Sequence, residues 1–253
     1  MSGRLARRGG VPLHAQVADY VRERIYAREW GQGVPIPSEH DLQELLGVSR
    51  GTIKAGIKAL VDEGLLKSEQ GRGTFVCTPL MARPSTTRLL SFAESMDEQD
   101  IPYTTTVIEK RLEPATLDCA QALGIETGTE HLFLARVRSV GEHPVMFIES
   151  HLNLSACPGL DQADFTQEGV FAAVERTSGR AVGDSSMTYS ACVAGKVRGA
   201  ALDCDEHAPV LNINQLVRLE DGTPFEWGSV WLPANRCVIY SETKRETPLR
   251  NAV

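Results

Sequence analysis

Cationic side chains recur at four-residue intervals in one stretch of the sequence. Arg50, Lys54 and Lys58 follow one another in the segment SRGTIKAGIKALVDEG. Residues four apart share one face of a helix, and the apolar residues of this segment repeat at helical spacing on another face. A further arginine, Arg72, stands between two glycines in GRG. Because guanidinium and ammonium groups bind DNA phosphates and base edges, these side chains predict a DNA contact.

The elements that must position these cations follow from the neighbouring residues. Ser38 is placed to cap one helix, with Asp41 completing a capping box, and Ser49 is placed to cap the next. Gly47 ends the first of these helices. LLKSE and TFV, on either side of GRG, predict a two-stranded hairpin. A helix-turn-helix followed by a hairpin is typical of a winged DNA-binding domain, and the alternative is a helical hairpin with a solvated basic face.

The predicted DNA contacts fall at three places, namely the starts of the two helices and the tip of the hairpin. The start of the second helix of such a motif enters the major groove, free N–H groups at a helix start favour phosphate, and a slim cationic tip suits a minor groove. The residues are Ser38 and Glu39, then Ser49, Arg50, Gly51, Thr52 and Lys54, and finally Gly71, Arg72 and Gly73.

This part of the chain resembles a known family. The pattern P-S-E…L…GVSR.T…A…L..EGL…..GRGTFV, between Leu13 and Val76, is similar to the DNA-binding domain of the GntR family of bacterial transcription regulators. The resemblance implies binding to a double-stranded DNA operator. Two positions depart from the family pattern, because His40 and Lys54 stand where arginine is usual. A lysine cannot make the bidentate contact of an arginine, so the operator sequence does not follow from the resemblance.

Charge is divided unevenly along the 253 residues. Residues 1–78 hold 11 Lys and Arg against 9 Asp and Glu, a net charge of +2, and the remainder holds 15 against 24, a net charge of −9. An acidic surface repels phosphates. DNA binding is therefore expected of the first part of the chain alone.

Composition also predicts what the protein lacks. The six cysteines include no C-x-x-C pair, and the six histidines show no ligand spacing beside them. We therefore expect reduced thiols, no metal site and no cofactor. No run of eighteen apolar residues and no secretory signal occurs, which predicts a cytoplasmic protein without membrane contact.

Changes in composition along the chain predict four segments. Gly/Arg-rich residues begin the chain, and Pro/Ser/Thr-rich residues without periodicity lie near position 80. The arginines of the first segment, Arg4, Arg7 and Arg8, either follow a DNA groove or only aid solubility. The predicted segments are a flexible basic tail at 1–10, a winged helix-turn-helix domain at 11–78, a linker at 79–87 and an α+β effector-binding and dimerisation domain at 88–253.

The α+β domain contains a weak internal repeat. A short helix followed by a turn-linked strand pair occurs twice, about eighty residues apart, and this aligns Arg138 with Arg218. Two such halves predict one antiparallel sheet with helices on one face. A cavity between sheet and helices would suit a small molecule.

This second region resembles the UTRA effector domain of HutC-type GntR regulators, which has a chorismate-lyase-like fold. The resemblance covers about residues 88–240 and rests on L.SF.E.M, ALG, L.R.R……PV and DG.P.E…….NR. It implies that Arg136 and Arg138 bind an anionic effector, often a sugar phosphate, and that Glu226 contributes the late acidic group. Alternate residues of a strand face one side, so both guanidinium groups would point the same way. Alternatively, the two arginines are surface salt-bridge partners.

Several positions of this region depart from the subfamily pattern. Ile148 takes the early acidic position, and its neighbour Glu149 would face the opposite side of the sheet. Gly169 stands where a serine commonly starts the central helix, Phe171 replaces a frequent tyrosine and Leu232 replaces an aromatic residue. These changes predict a less hydroxylated ligand, either a carboxylate or a larger apolar metabolite.

The sequence as a whole predicts a ligand-responsive transcription regulator, usually a repressor, that binds an inverted-repeat operator as a homodimer. One alternative is a DNA-binding regulator whose second domain is ligand-free and serves only dimerisation. The other is an enzyme, because the second fold is shared with a lyase. No Ser/His/Asp or Cys/His arrangement, phosphate-binding glycine loop or metal set can be assigned, so no catalytic residues are predicted.

Overall fold

The computed structural model describes Leu5 and residues 11–77, 80–82, 89 and 91–239. The chain divides into two compact units. The first contains Met1–Leu80 and Pro233–Arg236, and the second contains Met81–Leu232 and Cys237–Val253.

The first unit is a three-helix domain with a hairpin. The capping box at Ser38 is present, with Asp41 N donating to Ser38 Oγ at 3.2 Å and Ser38 N donating to Asp41 Oδ2 at 3.1 Å. Gly47 ends that helix in the left-handed conformation, with φ 67°. The predicted helix-turn-helix and hairpin are therefore confirmed. The elements are α1 (Leu13–Tyr26), α2 (Glu39–Leu46), α3 (Arg50–Asp62), β1 (Leu66–Glu69) and β2 (Gly73–Val76).

Helices α1 and α3 cross at a glycine. A Cβ atom placed on Gly56 would lie 2.7 Å from Val17 Cγ1 and 2.8 Å from the carbonyl oxygen of His14. Both distances are shorter than van der Waals contact, so a glycine is needed for this close approach. The crossing buries Val17 and Ile53, which are both fully shielded from solvent.

The loop before α2 lies beside the hairpin. Ile36 N donates to the carbonyl of Thr74 at 2.9 Å, and Val76 N donates to the carbonyl of Val34 at 3.0 Å.

At the other end of the unit, Leu5 N donates to the carbonyl of Leu46 at 3.0 Å, and Leu5 packs against the core. The remaining residues of the predicted tail, including Arg4, Arg7 and Arg8, lie outside the described residues.

The second unit is built on a six-stranded antiparallel sheet with the order β4-β5-β6-β9-β8-β7. Strands β3 and β10 form a separate pair, so part of the segment predicted as a linker is a strand. The elements are β3 (Leu80–Ala82), α4 (Phe92–Asp97), β4 (Thr104–Pro114), α5 (Leu117–Leu123), β5 (Glu130–Val140), β6 (His143–Leu152), a 3-10 turn (Leu160–Gln162), α6 (Val170–Ser178), β7 (Val182–Val193), α7 (Gly195–Ala201), β8 (Pro209–Leu219), β9 (Pro224–Pro233) and β10 (Cys237–Ile239).

The predicted internal repeat is confirmed by the strand order. Helix α5 precedes the hairpin β5–β6, and α7 precedes the hairpin β8–β9. The two hairpins meet at the centre of the sheet, where β6 pairs with β9 and Glu149 lies opposite Ser229. The two halves are thus arranged symmetrically about the β6–β9 pair.

Helices cover both faces of the sheet, so the expectation of helices on one face was wrong. Val174 of α6 packs with Leu134 and Val217 on what we call the α6 face. Residues flanking α7, including Leu202, pack with Phe133 on the opposite, α7 face. The reason is that the central strands are apolar on both sides: β5 is buried continuously along most of its length, and each apolar face needs a covering layer.

Candidate functional sites

The starts of α2 and α3 are joined by an ion pair. Arg50 Nε donates to Glu39 Oε2 at 2.9 Å, and the Arg50 side chain is 70 % exposed. Ser49 caps α3 by accepting a hydrogen bond from Thr52 N at 3.2 Å. The structure thereby brings together the predicted contacts at the two helix starts, Ser38, Glu39, Ser49, Arg50, Gly51 and Thr52.

The exposed face of α3 is not uniformly available to DNA. Ser49, Gly51 and Thr52 line an open cleft of about 810 Å³ between the starts of α1 and α3. Lys54, one turn later, is exposed. Lys58 is instead held by Asp62 of the same helix, with Nζ 2.7 Å from Oδ2. Arg50 and Lys58 are thus each ion-paired, and Lys54 is the cation of α3 that has no ion pair among the described residues.

The hairpin tip is exposed and shaped by glycines. Gly71 and Gly73 adopt φ values of 74° and 120°, which side chains rarely tolerate. Arg72 between them is 73 % exposed, pairs with Glu69 and lies with its Cζ atom 5.7 Å from the ring centroid of Phe75. These contacts hold the guanidinium group close to the hairpin that carries it.

In the second unit, Arg136 and Arg138 lie side by side on β5 and face a cavity of about 50 Å³. They are only 2 % and 4 % exposed, so the alternative that they are surface salt-bridge partners is wrong. Glu226 of β9 lines the same cavity. The remaining lining residues are Ser91, Phe92, Ser95, Ile148, Val170, Phe171, Met187, Tyr189, Ile213, Gln215, Val230 and Ile239.

Hydrogen bonds connect one arginine to the glutamate. Arg136 Nη2 donates to Ser150 Oγ at 3.0 Å, and Ser150 Oγ donates to Glu226 Oε1 at 2.6 Å. Ser150 was not predicted from the sequence, although its position two residues after Ile148 on β6 places it on the same face. Arg138 has its Cζ atom 5.3 Å from the ring centroid of Tyr103.

The charge around the cavity is incompletely balanced. The Nε atoms of Arg136 and Arg138 are buried without a hydrogen-bond partner among the described residues. Burial lowers the pKa of Arg136 to about 10, with a further decrease from the neighbouring Arg138 and an opposing effect of Glu226. Burial also lowers the pKa of Arg138, whose charge is favoured by Tyr103 and Asp97. Buried cations without full compensation favour an anion beside them.

Only some of the departures from the subfamily pattern lie at the cavity, and Leu232, which was counted among them, does not. Ile148 and Phe171 line the cavity, and Gly169 is the N-cap of α6 without a side-chain cap. Glu149 faces the α7 face, where its Oε2 accepts from Arg198 and from Trp231 Nε1, both at 3.0 Å. Leu232 is fully buried but does not line the cavity.

Arg138 also reaches a second, more open space. It lines a cleft of about 510 Å³ together with Asp97, Tyr103, Phe165 and Glu168. The same guanidinium group therefore borders both the small cavity and the wider cleft beside it.

The α7 face carries a group of side chains that linear spacing did not reveal. Cys119, His131 and His151 offer ligand atoms that all lie within 4.8 Å of one another. The β5–β6 register explains this proximity, because Phe133 pairs with His151 and places His131 two residues away. Burial raises the pKa of Cys119 to about 11, with a smaller contribution from Glu113, so this thiol is protonated at neutral pH.

Within the part of the chain that the structure describes, no helix combines the length and the apolar character needed to cross a membrane.

The first unit and the cavity of the second define a class of protein, a winged DNA-binding regulator with a ligand-binding domain. Comparison with family models agrees: residues 13–76 match the model of bacterial regulatory proteins of the gntR family, and residues 98–237 match the UTRA domain. The chain belongs to the GntR family and is a HutC-type regulator. It is a DNA-binding transcription regulator that carries a UTRA domain.

Individual relatives match large parts of the chain. The transcriptional repressor NagR of Bacillus subtilis is 28% identical over 216 residues, covering 85% of this chain and 88% of NagR. A regulator from Escherichia coli CFT073 is 41% identical with a TM-score of 0.50, covering 53% of this chain and 97% of that chain. PhnF from Mycobacterium smegmatis, 20% identical, has a TM-score of 0.63 and covers 91% of this chain and 100% of that chain, which shows a shared fold.

Proposed function

We propose that this protein is a homodimeric repressor that binds an inverted-repeat operator and responds to a small anionic metabolite held by Arg136, Arg138 and Glu226. The observation that carries the proposal is the pair of buried guanidinium groups, whose Nε atoms have no partner among the described residues. A carboxylate or phosphate would supply the missing acceptors. Two guanidinium groups on one strand face are well suited to such an anion.

The start of α6 supports an anionic ligand as well. Val170 and Phe171, the first two residues of α6, line the cavity. Free N–H groups and the helix dipole favour negative charge at this end of a helix. Because Gly169 offers no side-chain cap, these N–H groups remain available to a ligand.

The lining supports a ligand with an apolar part. Ile148, Met187, Ile213 and Val230 surround the arginines, and the early acidic position is occupied by isoleucine. The cavity of about 50 Å³ has room for only a few water molecules, since a cavity that holds one needs about 10–15 Å³. We infer that the ligand enters from the cleft beside Arg138 and that the cavity widens as it binds.

On the DNA side, we propose that Arg50 and Lys54 contact the major groove, with Arg72 in a minor groove. Ser38, Glu39, Ser49, Gly51 and Thr52 would position the phosphates, and Gly71 and Gly73 would let the tip enter the groove. Two such domains in a dimer would match two half-sites about one helical turn apart. Ligand binding would alter DNA affinity through different affinities for two states of the dimer.

A thermal-shift screen of anionic metabolites tests the ligand site. The variants are Arg138→Ala and, as a control, Arg218→Ala at the equivalent position of the second half, where Arg218 pairs with Asp184 at 2.8 Å. A ligand at 100 times its Kd stabilises the native state by about 2.7 kcal/mol. We expect a carboxylate or phosphate hit to raise the Tm of the wild type and of Arg218→Ala, and not that of Arg138→Ala.

The same screen can contradict the proposal. A hit that stabilises Arg138→Ala as much as the wild type would place the ligand elsewhere. Tight binding of an amino-sugar phosphate would contradict a weakly hydroxylated ligand. Two results together would favour the alternative of a ligand-free dimerisation domain. One is that no anion binds, and the other is that the metabolites do not change the affinity of the protein for duplexes selected from a random library.

A further inference from the structure

We propose that the effector domain contains a Zn²⁺ site formed by Cys119, His131, His151 and Glu113. The site lies on the α7 face, away from the effector cavity on the α6 face. It joins α5 to strands β4, β5 and β6. One thiolate, two imidazoles and one carboxylate form a ligand set that zinc binds in proteins.

The three ligand atoms of the Cys–His–His group all lie within 4.8 Å of one another. Cys119 Sγ lies 3.6 Å from His131 Nε2, and His131 Nε2 lies 2.8 Å from His151 Nδ1. Zn–S bonds of about 2.3 Å and Zn–N bonds of about 2.0–2.1 Å in a tetrahedron separate S from N by about 3.6 Å and N from N by about 3.3 Å. The first separation already fits, and the two imidazoles need to part by about 0.5 Å. The ligand atoms of Cys119 and His151, which lie within 4.8 Å, need to come to about 3.6 Å.

Glu113 offers a carboxylate as the fourth ligand. Its Oε1 lies 3.5 Å from His131 Nε2 and 3.7 Å from His151 Nδ1. Its Oε2 accepts a hydrogen bond from Arg111 Nε at 2.9 Å, which orients the carboxylate toward the histidines. Outer-sphere hydrogen bonds of this kind are usual for metal-ligating carboxylates.

The surroundings suit a bound metal. Cys119 and His131 are each 1 % exposed, so water competes little for the ligands. His151 is 24 % exposed at its side chain and borders an open cleft of about 240 Å³ lined by Trp227 and Arg198. This cleft provides a route for the ion. The ring of His151 is held by stacking on Trp227, with centroids 5.2 Å apart.

Zinc binding by the full-length protein, first freed of metal with a chelator, tests the proposal. We expect one equivalent of Zn²⁺ to bind with a Kd below about 1 µM and to raise the Tm. Co²⁺ used in place of Zn²⁺ should give a thiolate-to-cobalt charge-transfer band. His151→Gln should weaken Zn²⁺ binding by on the order of 100-fold, since loss of an outer-sphere partner alone costs about 10- to 100-fold. Cys119→Ser should abolish the cobalt band.

Two control variants remove the same residue types elsewhere in the domain. His143→Gln lies at the exposed start of β6, and Cys192→Ser lies on β7. Both should keep full zinc affinity and the cobalt band. Because His151 is partly exposed, its variant is expected to fold even if Cys119→Ser does not, and circular dichroism of the metal-free proteins checks this.

Two results would overturn the proposal. One is a wild-type protein that binds less than one equivalent of zinc at micromolar concentrations. The other is zinc affinity that His151→Gln reduces no more than His143→Gln does. Either result would mean that His131 and His151 only share a hydrogen bond.

Discussion

Arg136 on β5 and Glu226 on β9 are joined through one hydroxyl group. Ser150 Oγ accepts from Arg136 Nη2 at 3.0 Å and donates to Glu226 Oε1 at 2.6 Å. The three residues come from strands β5, β6 and β9, so the bridge crosses from the first half of the sheet to the second. All three residues are buried, so Glu226 largely balances the charge of Arg136 through the Ser150 hydroxyl. Arg138 is left able to bind an added anion.

The bridge should contribute measurably to stability. Ser150→Ala removes the hydroxyl and leaves two buried charged groups without this partner, and a buried group left unsatisfied costs about 1–3 kcal/mol. We expect urea denaturation to show a loss of that size in the free energy of unfolding. Ser229→Ala, which removes a partly exposed hydroxyl that bonds to Asn214, serves as the control and should cost less than about 1 kcal/mol. Equal losses would contradict a special role for the bridge.

The start of α3 should dominate DNA recognition. Arg50→Ala is expected to weaken operator binding by about 1–3 kcal/mol, because a base-reading arginine contributes about that much. Fluorescence anisotropy on a duplex selected from a random library measures the affinity at several salt concentrations. Lys58→Ala, two turns further along α3 and ion-paired like Arg50, with Asp62 at 2.7 Å, is the matched control. An equal or larger loss for Lys58→Ala would show that DNA contacts the other end of the helix.

The crossing of α1 and α3 should not tolerate a side chain at Gly56. Gly56→Ala places a methyl group 2.7 Å from Val17 Cγ1, and overpacking of a core typically costs about 1–3 kcal/mol. Thermal or urea unfolding of the DNA-binding domain measures this. Gly51→Ala on the same helix meets its nearest atom, Ser49 Oγ, at 3.9 Å and should change stability by less than about 1 kcal/mol. A stable Gly56→Ala protein would contradict the close helix approach.

Protonation of Asp221, in the turn before β9, should lower the stability of the protein at acidic pH. Hydrogen bonds from Thr223 and Arg180 lower the pKa of Asp221 from 3.8 to about 2. A lowered pKa means that the folded state binds fewer protons than the unfolded state, so the stabilisation is present above pH 4 and is lost as the pH falls through about 2. Carbon NMR of the Asp221 carboxyl group should titrate near this value. Thr223→Ala should move the midpoint upward, and Asp118→Asn, on the exposed start of α5, should leave it unchanged.

Much of the first unit could be predicted because its signals are local. The caps at Ser38 and Ser49, the left-handed glycine at Gly47 and the GRG tip each act within a few residues, and all are found where the sequence placed them. The alternation along β5 likewise placed Arg136 and Arg138 on one face. Strand alternation and capping depend on the backbone near a residue, so no knowledge of distant segments is needed.

The remaining features depend on which distant segments meet. Strand register brings Ser150 between Arg136 and Glu226 and His151 beside His131. Because the two arginines are buried, they lack contact with water and favour an anion beside them. The sequence by itself thus determined the local elements and the type of each side chain. Only the tertiary structure decided their partners, because pairing between strands and the covering of both sheet faces are settled by long-range packing.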